Sequence, residues 1–179
     1  MGMAQMKAGE TVFVCHDTDT HIFITTFRTA SSSFKVFFNK DVIPRNREEL
    51  LKVLRSGKTL VVILREPVSR YLSALKLVKM ILRGSGTNHM DLLMLSHSAP
   101  YMDVFLGVDI RYIRWENIGE YLPYAGFSSL SELAFPDYYT LPVRSTEHDI
   151  AMGLEVETYT KLLANNREME SPEFLDITA

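Results

Sequence analysis

The spacing of apolar and polar residues changes period several times along the chain. "TVFVCH" (11–16) and "HIFITTF" (21–27) are short β-branched and aromatic runs separated by "DTDT", a pattern that predicts strand, turn, strand. From Ser31 the period becomes helical, with Phe34, Phe37 and Phe38 on one face. "VIPRN" breaks that helix, and "REELLKVLRSG" predicts a short second one closed at Gly57. "TLVVILR" is the continuous apolar run expected of a buried parallel strand. Glu66-Pro67 opens a further helix, since proline suits a first turn. Val68, Leu72, Leu75 and Leu82 give it an apolar stripe, while Ser69, Ser73 and Lys76 lie on another face. "DIRYIRW" predicts another strand, "ENIGEYLPYAG" a short helix and "STEHDIAMGLEVETYTKLLANN" a long one. The remaining tail, 165–179, is expected to be loosely ordered. Strands alternating with helices predict a layered α/β domain around a parallel sheet, spanning 1–179 as one unit. Ligands of such folds bind beyond the carboxyl ends of the strands.

Composition narrows the classes. The 179 residues are 46% hydrophobic and 23% charged, as in a globular chain with a real core. A net charge of -3 argues against a general nucleic-acid binder, which needs an excess of Lys and Arg, but leaves room for a local basic site. Cys15 is the only cysteine, so neither an internal disulfide nor a cysteine-rich zinc site is expected. No apolar run is long enough to span a bilayer, and "MGMAQMKAGE" lacks the apolar core of a secretory signal. A soluble protein in a reducing, cytoplasmic setting is the expectation.

Two stretches carry candidate chemistry, and both fall at strand ends. In "ITTFRTASSSF" a strand runs through Arg28, Thr29 and Ala30 into Ser31, Ser32 and Ser33, where the helix begins. The first turn of a helix leaves N–H groups unpaired with a partial positive charge. Serine hydroxyls, small side chains and a permanent cation at Arg28 add to a site suited to phosphate or a sulfate-like group. An ordinary serine cap beside a surface arginine reads the same residues equally well. The Walker pattern GxxxxGK[ST] is absent. In "VVILREPVSRYLSALK", Arg65 ends a buried strand and Ser73 follows two helical turns later. An arginine fork and a hydroxyl converging there could grip a second phosphate, or simply cap a strand and fill a polar helix position.

Taken together these stretches resemble the sulfotransferase superfamily, whose donor is 3'-phosphoadenosine-5'-phosphosulfate (PAPS). "RTASSSF" is similar to that family's strand–loop–helix [KR]-[ST]-G-[ST]-[ST], and most like the R-[ST]-G-S-S-F of carbohydrate sulfotransferases, with Ala30 in the glycine's place. "REPVSRYLS" is similar to the R-x-P-x-x-R-x-x-S of its 3'-phosphate motif at Arg65, Pro67, Arg70 and Ser73. "HSAPYMDVFLGVDIRYIRWENI" looks like its H-x-x-P stretch and following [RW]-x-E-[ND]-[IL] strand end. The resemblance covers about Ile22 to Ile118 in a chain shorter than typical members.

It implies a three-layer α/β/α fold with a central parallel sheet, related to the P-loop NTPases. It also implies a sulfotransferase reaction by in-line displacement, with no metal. Arg28 would neutralise the bridging oxygen of the leaving nucleotide. The amides of Ala30 to Ser33, with the Ser31 and Ser32 hydroxyls, would hold the phosphosulfate, and Arg65 and Ser73 the 3'-phosphate. Arg144 is a further nominee for the nucleotide, though it also reads as an exposed arginine before a helix cap. His97 is a candidate base for the acceptor proton, and equally a histidine packed at a helix end. Glu48, Glu49, His16 and His89 are alternatives. The implied acceptor is a carbohydrate hydroxyl, with no nucleic-acid partner and no membrane span. A kinase-like enzyme with an unusual phosphate loop and a non-catalytic nucleotide-binding module are the competing readings.

Overall fold

The hairpin comes first. In the computed structural model, which describes residues 11–29, 31–39, 41–82, 99–122 and 146–179, β1 (Phe13–Asp17) pairs antiparallel with β2 (His21–Thr26), Phe13 opposite Thr26 and Asp17 opposite Ile22. Thr18 closes the turn: its N–H donates to the His21 carbonyl at 2.8 Å and its hydroxyl accepts the His21 N–H at 2.9 Å. β3 (Ile43–Arg45) pairs antiparallel with the other edge of β1. β4 (Thr59–Leu64) lies parallel to β2, β5 (Ile110–Arg114) parallel to β4, and β6 (Arg167–Glu168) parallel to β5. Among the described residues the sheet is thus a mixed one of six strands in the order β3-β1-β2-β4-β5-β6.

The class is α/β as expected, but the sheet is not parallel throughout. The short "DTDT" link admits only a hairpin, because a parallel crossover needs a dozen or more residues. The segment read as a mere helix breaker is the edge strand β3. Pro44 lacks an N–H to donate, which an edge position tolerates.

Strand side chains alternate between two apolar clusters, as the period of two requires. On one face Phe13, Cys15, Ile22, Ile24, Leu60, Val62 and Leu64 meet Leu50 of α2 (Arg47–Val53), the 3-10 turn Met102–Phe105, and Tyr159 and Leu162 of α4 (Thr146–Asn165). On the other, Val14, Phe23, Val61, Ile63 and Ile113 meet Phe34 of α1 (Ser31–Phe37), Phe38, and Phe174 of α5 (Ser171–Thr178). α3 (Pro67–Leu82) follows β4 after two residues. Asn46 starts α2 with a capping box: its side chain accepts the Glu49 N–H at 2.8 Å, and Glu49 Oε1 accepts the Asn46 N–H at 3.2 Å. After β5 the chain forms a 3-10 turn, Trp115–Glu120, where a short α-helix was expected. No helix among the described residues is long and apolar enough to cross a membrane.

The end of the chain departs most from expectation. Instead of a loose tail, β6 extends the sheet and α5 docks on it. Phe174 is 2% exposed and meets the rings of Phe23 and Tyr121 edge-on. The Tyr121 hydroxyl donates to the Met169 carbonyl, and Arg111 grips Glu173 through two bonds of 2.8 and 2.7 Å. Met169 stands alone among Arg167, Glu168 and Glu170, and the helix that carries Phe174 and Ile177 is only eight residues long, too short for a sustained periodic signal.

Because Phe174 closes one of the two clusters, Phe174→Ala is expected to lower the unfolding free energy by about 3–5 kcal/mol, measured by urea denaturation. A loss below ~1 kcal/mol would mean that α5 does not pack on the sheet.

Candidate functional site

β2 and β4 are adjacent and parallel, so the loop after Thr26 and the start of α3 emerge side by side. The loop is a tight turn. The Thr29 N–H donates to the Thr26 carbonyl at 3.2 Å, and Arg28, its third residue, has φ 63°. Left-handed backbone at a non-glycine residue costs about 1–2 kcal/mol, so something must hold it. Thr29 supplies part of that. It is fully buried, its hydroxyl accepts the Thr26 N–H at 2.9 Å, and its carbonyl accepts the Thr25 hydroxyl at 2.8 Å. Thr29 therefore holds the turn rather than facing outward. The left-handed residue lies two positions before Ala30, the place where the resembling family has glycine.

The rest of the support comes from Arg65, just beyond β4, and from α3. Arg65 Nη1 donates to the Arg28 carbonyl at 2.9 Å, and Arg65 Nε to Ser69 Oγ at 3.1 Å. Arg28 reaches back, its Nε donating to Ser73 Oγ at 2.8 Å. The two stretches singled out in the sequence thus interlock: Arg28 is bonded to Ser73, and Arg65 to Arg28 and Ser69. The guanidinium of Arg65 lies 3.5 Å from the ring centre of Trp115, at the end of β5, a cation–π contact. Its own N–H donates to the Tyr101 hydroxyl at 3.3 Å, which in turn donates to the Ile63 carbonyl at 3.2 Å. Glu66 fixes the start of α3 by accepting the Val68 and Ser69 N–H groups at 3.1 and 2.7 Å.

The electrostatics are lopsided. Arg45, Arg47 and Arg111 each pair with a carboxylate, Asp17, Asp103 and Glu173. Among the described residues Arg28, Arg65 and Arg70 form no such pair. Burial pushes Arg65 down to about 10, helped by the like charges of Arg28 and Arg70 and opposed by Glu116. Burial lowers Arg28 and Arg70 in the same direction. An arginine has five N–H donors. Arg65 spends two on acceptors among the described residues and Arg28 one, so both retain donors that an oxyanion could accept. Arg65 and Ser73 are buried, whereas Arg28 is half-exposed and forms the approachable part of the group.

Ser31 and Ser33 are half-buried residues of α1, which also contains Ser32. Ala30, His97, His89 and Arg144 lie outside the described residues. His16 is opposite Phe23 near the start of β2, at the far end of the sheet, and its ring stacks on Phe38 at 4.0 Å. Glu48 and Glu49 form the first turn of α2, and Glu49 is occupied by the capping box. Among the described residues no group of three or more His, Cys, Asp or Glu could hold a metal ion. Sequence reasoning missed Ser69 as the Arg65 partner, the Arg65–Trp115 stack and the Tyr101 hydroxyl that ties β4 to the loop before β5. The i, i+4 spacing of Arg65 and Ser69 was a usable signal for the first. The other two join residues far apart in sequence.

Comparison with family models, with curated proteins and with solved structures found no match to this chain.

Three clustered guanidinium groups with no ion-paired carboxylate among the described residues should be relieved by a multivalent anion. Inorganic phosphate is expected to raise the melting temperature beyond sodium chloride at equal ionic strength, by the linkage of binding to folding. The increment should shrink in Arg28→Gln and Arg65→Gln. Equal increments in all three proteins would mean that the cluster holds no anion.

Proposed function

We propose that this chain is a sulfotransferase that moves a sulfuryl group from PAPS to an acceptor hydroxyl by in-line displacement. The observation that carries the reading is the interlocking of Arg28 with Ser73, and of Arg65 with Arg28 and Ser69, beyond adjacent carboxyl ends of parallel strands without a neutralising carboxylate. That is where α/β folds bind ligands, and an excess of guanidinium donors suits a ligand with several phosphate or sulfate groups. The mixed sheet with helices on it is compatible with the three-layer α/β/α, P-loop-like fold of that superfamily, which belongs to the proposal.

In this reading Arg28 bears on the oxygen that gains charge as the sulfur–oxygen bond breaks. Such charge stabilisation by preorganised donors supplies much of the catalysis in transfers of this kind. The amides of Ala30 to Ser33, with the hydroxyls of Ser31 and Ser32, hold the phosphosulfate. Arg65, and Ser73 once Arg28 releases it, hold the 3'-phosphate that distinguishes PAPS from ATP. Arg144 adds a cation over the nucleotide, and His97 takes the proton of the acceptor. The acceptor is a carbohydrate hydroxyl, the setting cytoplasmic, and no step requires a metal.

Calorimetry with adenosine 3',5'-bisphosphate and with ATP tests the donor. The bisphosphate is expected to bind more tightly, and Arg65→Ala to weaken it at least about tenfold, the value of one hydrogen bond to a charged group, with little change in the urea midpoint. Transfer of labelled sulfate from PAPS to a glycan panel tests the reaction. No preference for the bisphosphate would replace this reading with the kinase-like one. Tight binding without transfer to any acceptor would leave a nucleotide-binding module.

A further inference from the structure

Arg70 has no part in the chemistry just described, yet it is the most deeply committed cation near the site. It is 3% exposed, and no carboxylate among the described residues pairs with it. Its Nε donates to the Phe27 carbonyl at 3.0 Å and its Nη1 to the Ala99 carbonyl at 2.7 Å. Its guanidinium carbon lies 4.6 Å from the ring centre of Tyr101, and its Nη2 is buried without a hydrogen-bond partner among the described residues. Glu155 of α4 is the carboxylate that lends it favourable charge. That group's Oε1 is already shared by the Tyr101 and Met102 N–H groups at 3.1 and 3.2 Å. Burying a guanidinium on neutral partners, with one nitrogen left over, is a costly way to fill a core. A methionine would fill similar volume without that cost, so the particular bonds that Arg70 makes are the feature to explain.

The bond to Phe27 has a directional consequence. Every peptide described here is trans, and in a trans peptide the C=O and N–H vectors point to opposite sides. By drawing the Phe27 carbonyl inward, Arg70 turns the Arg28 N–H away from the core. No acceptor among the described residues takes that N–H. Arg65 holds the next carbonyl, that of Arg28, at 2.9 Å. Two buried arginines thus fix two successive carbonyls of the turn on the protein side, with left-handed Arg28 between them. The Arg28 amide is thereby directed away from α3, where Ser73 holds the Arg28 Nε, and is a donor for an oxyanion group.

We propose that Arg70 is a positioning residue: it sets the plane of the Phe27–Arg28 peptide so that the Arg28 amide is presented to a bound anion. The amide is a ligand-binding donor that the side-chain pattern does not reveal. This rests on the anion-binding reading of the site, but not on sulfuryl transfer. Lysine at this position would keep the charge, but its single nitrogen cannot span the Phe27 and Ala99 carbonyls as the planar fork does.

Backbone amide NMR during titration with adenosine 3',5'-bisphosphate, and separately with inorganic phosphate, tests this. In the wild-type protein the Arg28 amide is expected to shift downfield on saturation with either probe. In Arg70→Lys the amides of Val61 to Ile63 should stay in place while the dissociation constant rises about tenfold and the Arg28 response is lost. A merely structural role would lower stability without removing that response. Saturable binding with an unmoved Arg28 amide in the wild type overturns the inference, even if Arg70→Lys fails to fold. So does a folded Arg70→Lys protein that binds with wild-type affinity. Binding of neither probe removes the anion site and this inference together. Binding of both, with no preference for the bisphosphate over ATP, removes the PAPS reading and leaves the role of Arg70 standing.

Discussion

The parallel pairing of β2 with β4, His21 with Thr59 through Ile24 with Val62, is the constraint from which the site follows. Neighbouring strands lie about 4.8 Å apart, so two chain segments leaving the same ends of this pair are brought within side-chain reach. The register is pinned by burial on both faces: Ile22, Ile24, Leu60, Val62 and Leu64 face one cluster, Phe23, Val61 and Ile63 the other. A slip of one residue would exchange those sets and turn Arg65 to the opposite face. The core therefore fixes the site's geometry, and Tyr101, itself a core residue, carries that order into the site through its hydroxyl and ring.

That geometry places like charges together, and the chain handles its other arginines differently. Arg45, Arg47 and Arg111 are neutralised by carboxylates, whereas Arg28, Arg65 and Arg70 are given carbonyls, hydroxyls and aromatic faces. These neutral partners orient a guanidinium and satisfy its donors without cancelling its charge. The depressed Arg65 group states the cost. Its unfolded form binds the proton more firmly, so the penalty is present at neutral pH and declines only as pH rises through about 10. A carboxylate would remove the penalty and also the attraction for an anion. Glu116, exposed at the end of β5, stands near enough to temper Arg65 while its Oε1 accepts the Glu66 N–H at 3.3 Å.

The elements with strong periodicity were legible in the sequence: β1, β2, β4, β5, α2, α3 and α4 follow from runs of apolar residues and, for α3, from the proline at its start. Three things were not. β3 is three residues long and contains a proline, so pattern alone reads it as a break. Met169, just after β6, and Phe174 with Ile177 of the short α5 pack on a surface assembled elsewhere, which their own spacing does not announce. In the site, Arg28, Arg65 and Ser73 were visible as motif residues, but their interlocking was not, since the bonds join residues 37 and 45 positions apart. Arg70 matched a motif without acquiring a role, because its meaning lies in which carbonyls it holds.

The turn at Arg28 joins these strands of argument. A left-handed arginine is a local conflict that a glycine would avoid, and such conflicts persist only where the surroundings over-determine them. Here the Thr25, Thr26 and Thr29 bonds fix the turn from within, while Arg65 at the end of β4 and Arg70 of α3 fix its carbonyls. So many constraints on a short loop leave it little conformational freedom to lose when a ligand arrives, and reduced ordering cost is what preorganisation contributes to affinity. A glycine would make the same turn easier to form and also easier to leave. Ala30, the departure from the resembling family's glycine, therefore need not count against an anion site. The conformational demand falls on Arg28 instead, and it is met by tertiary bonds rather than by the absence of a side chain.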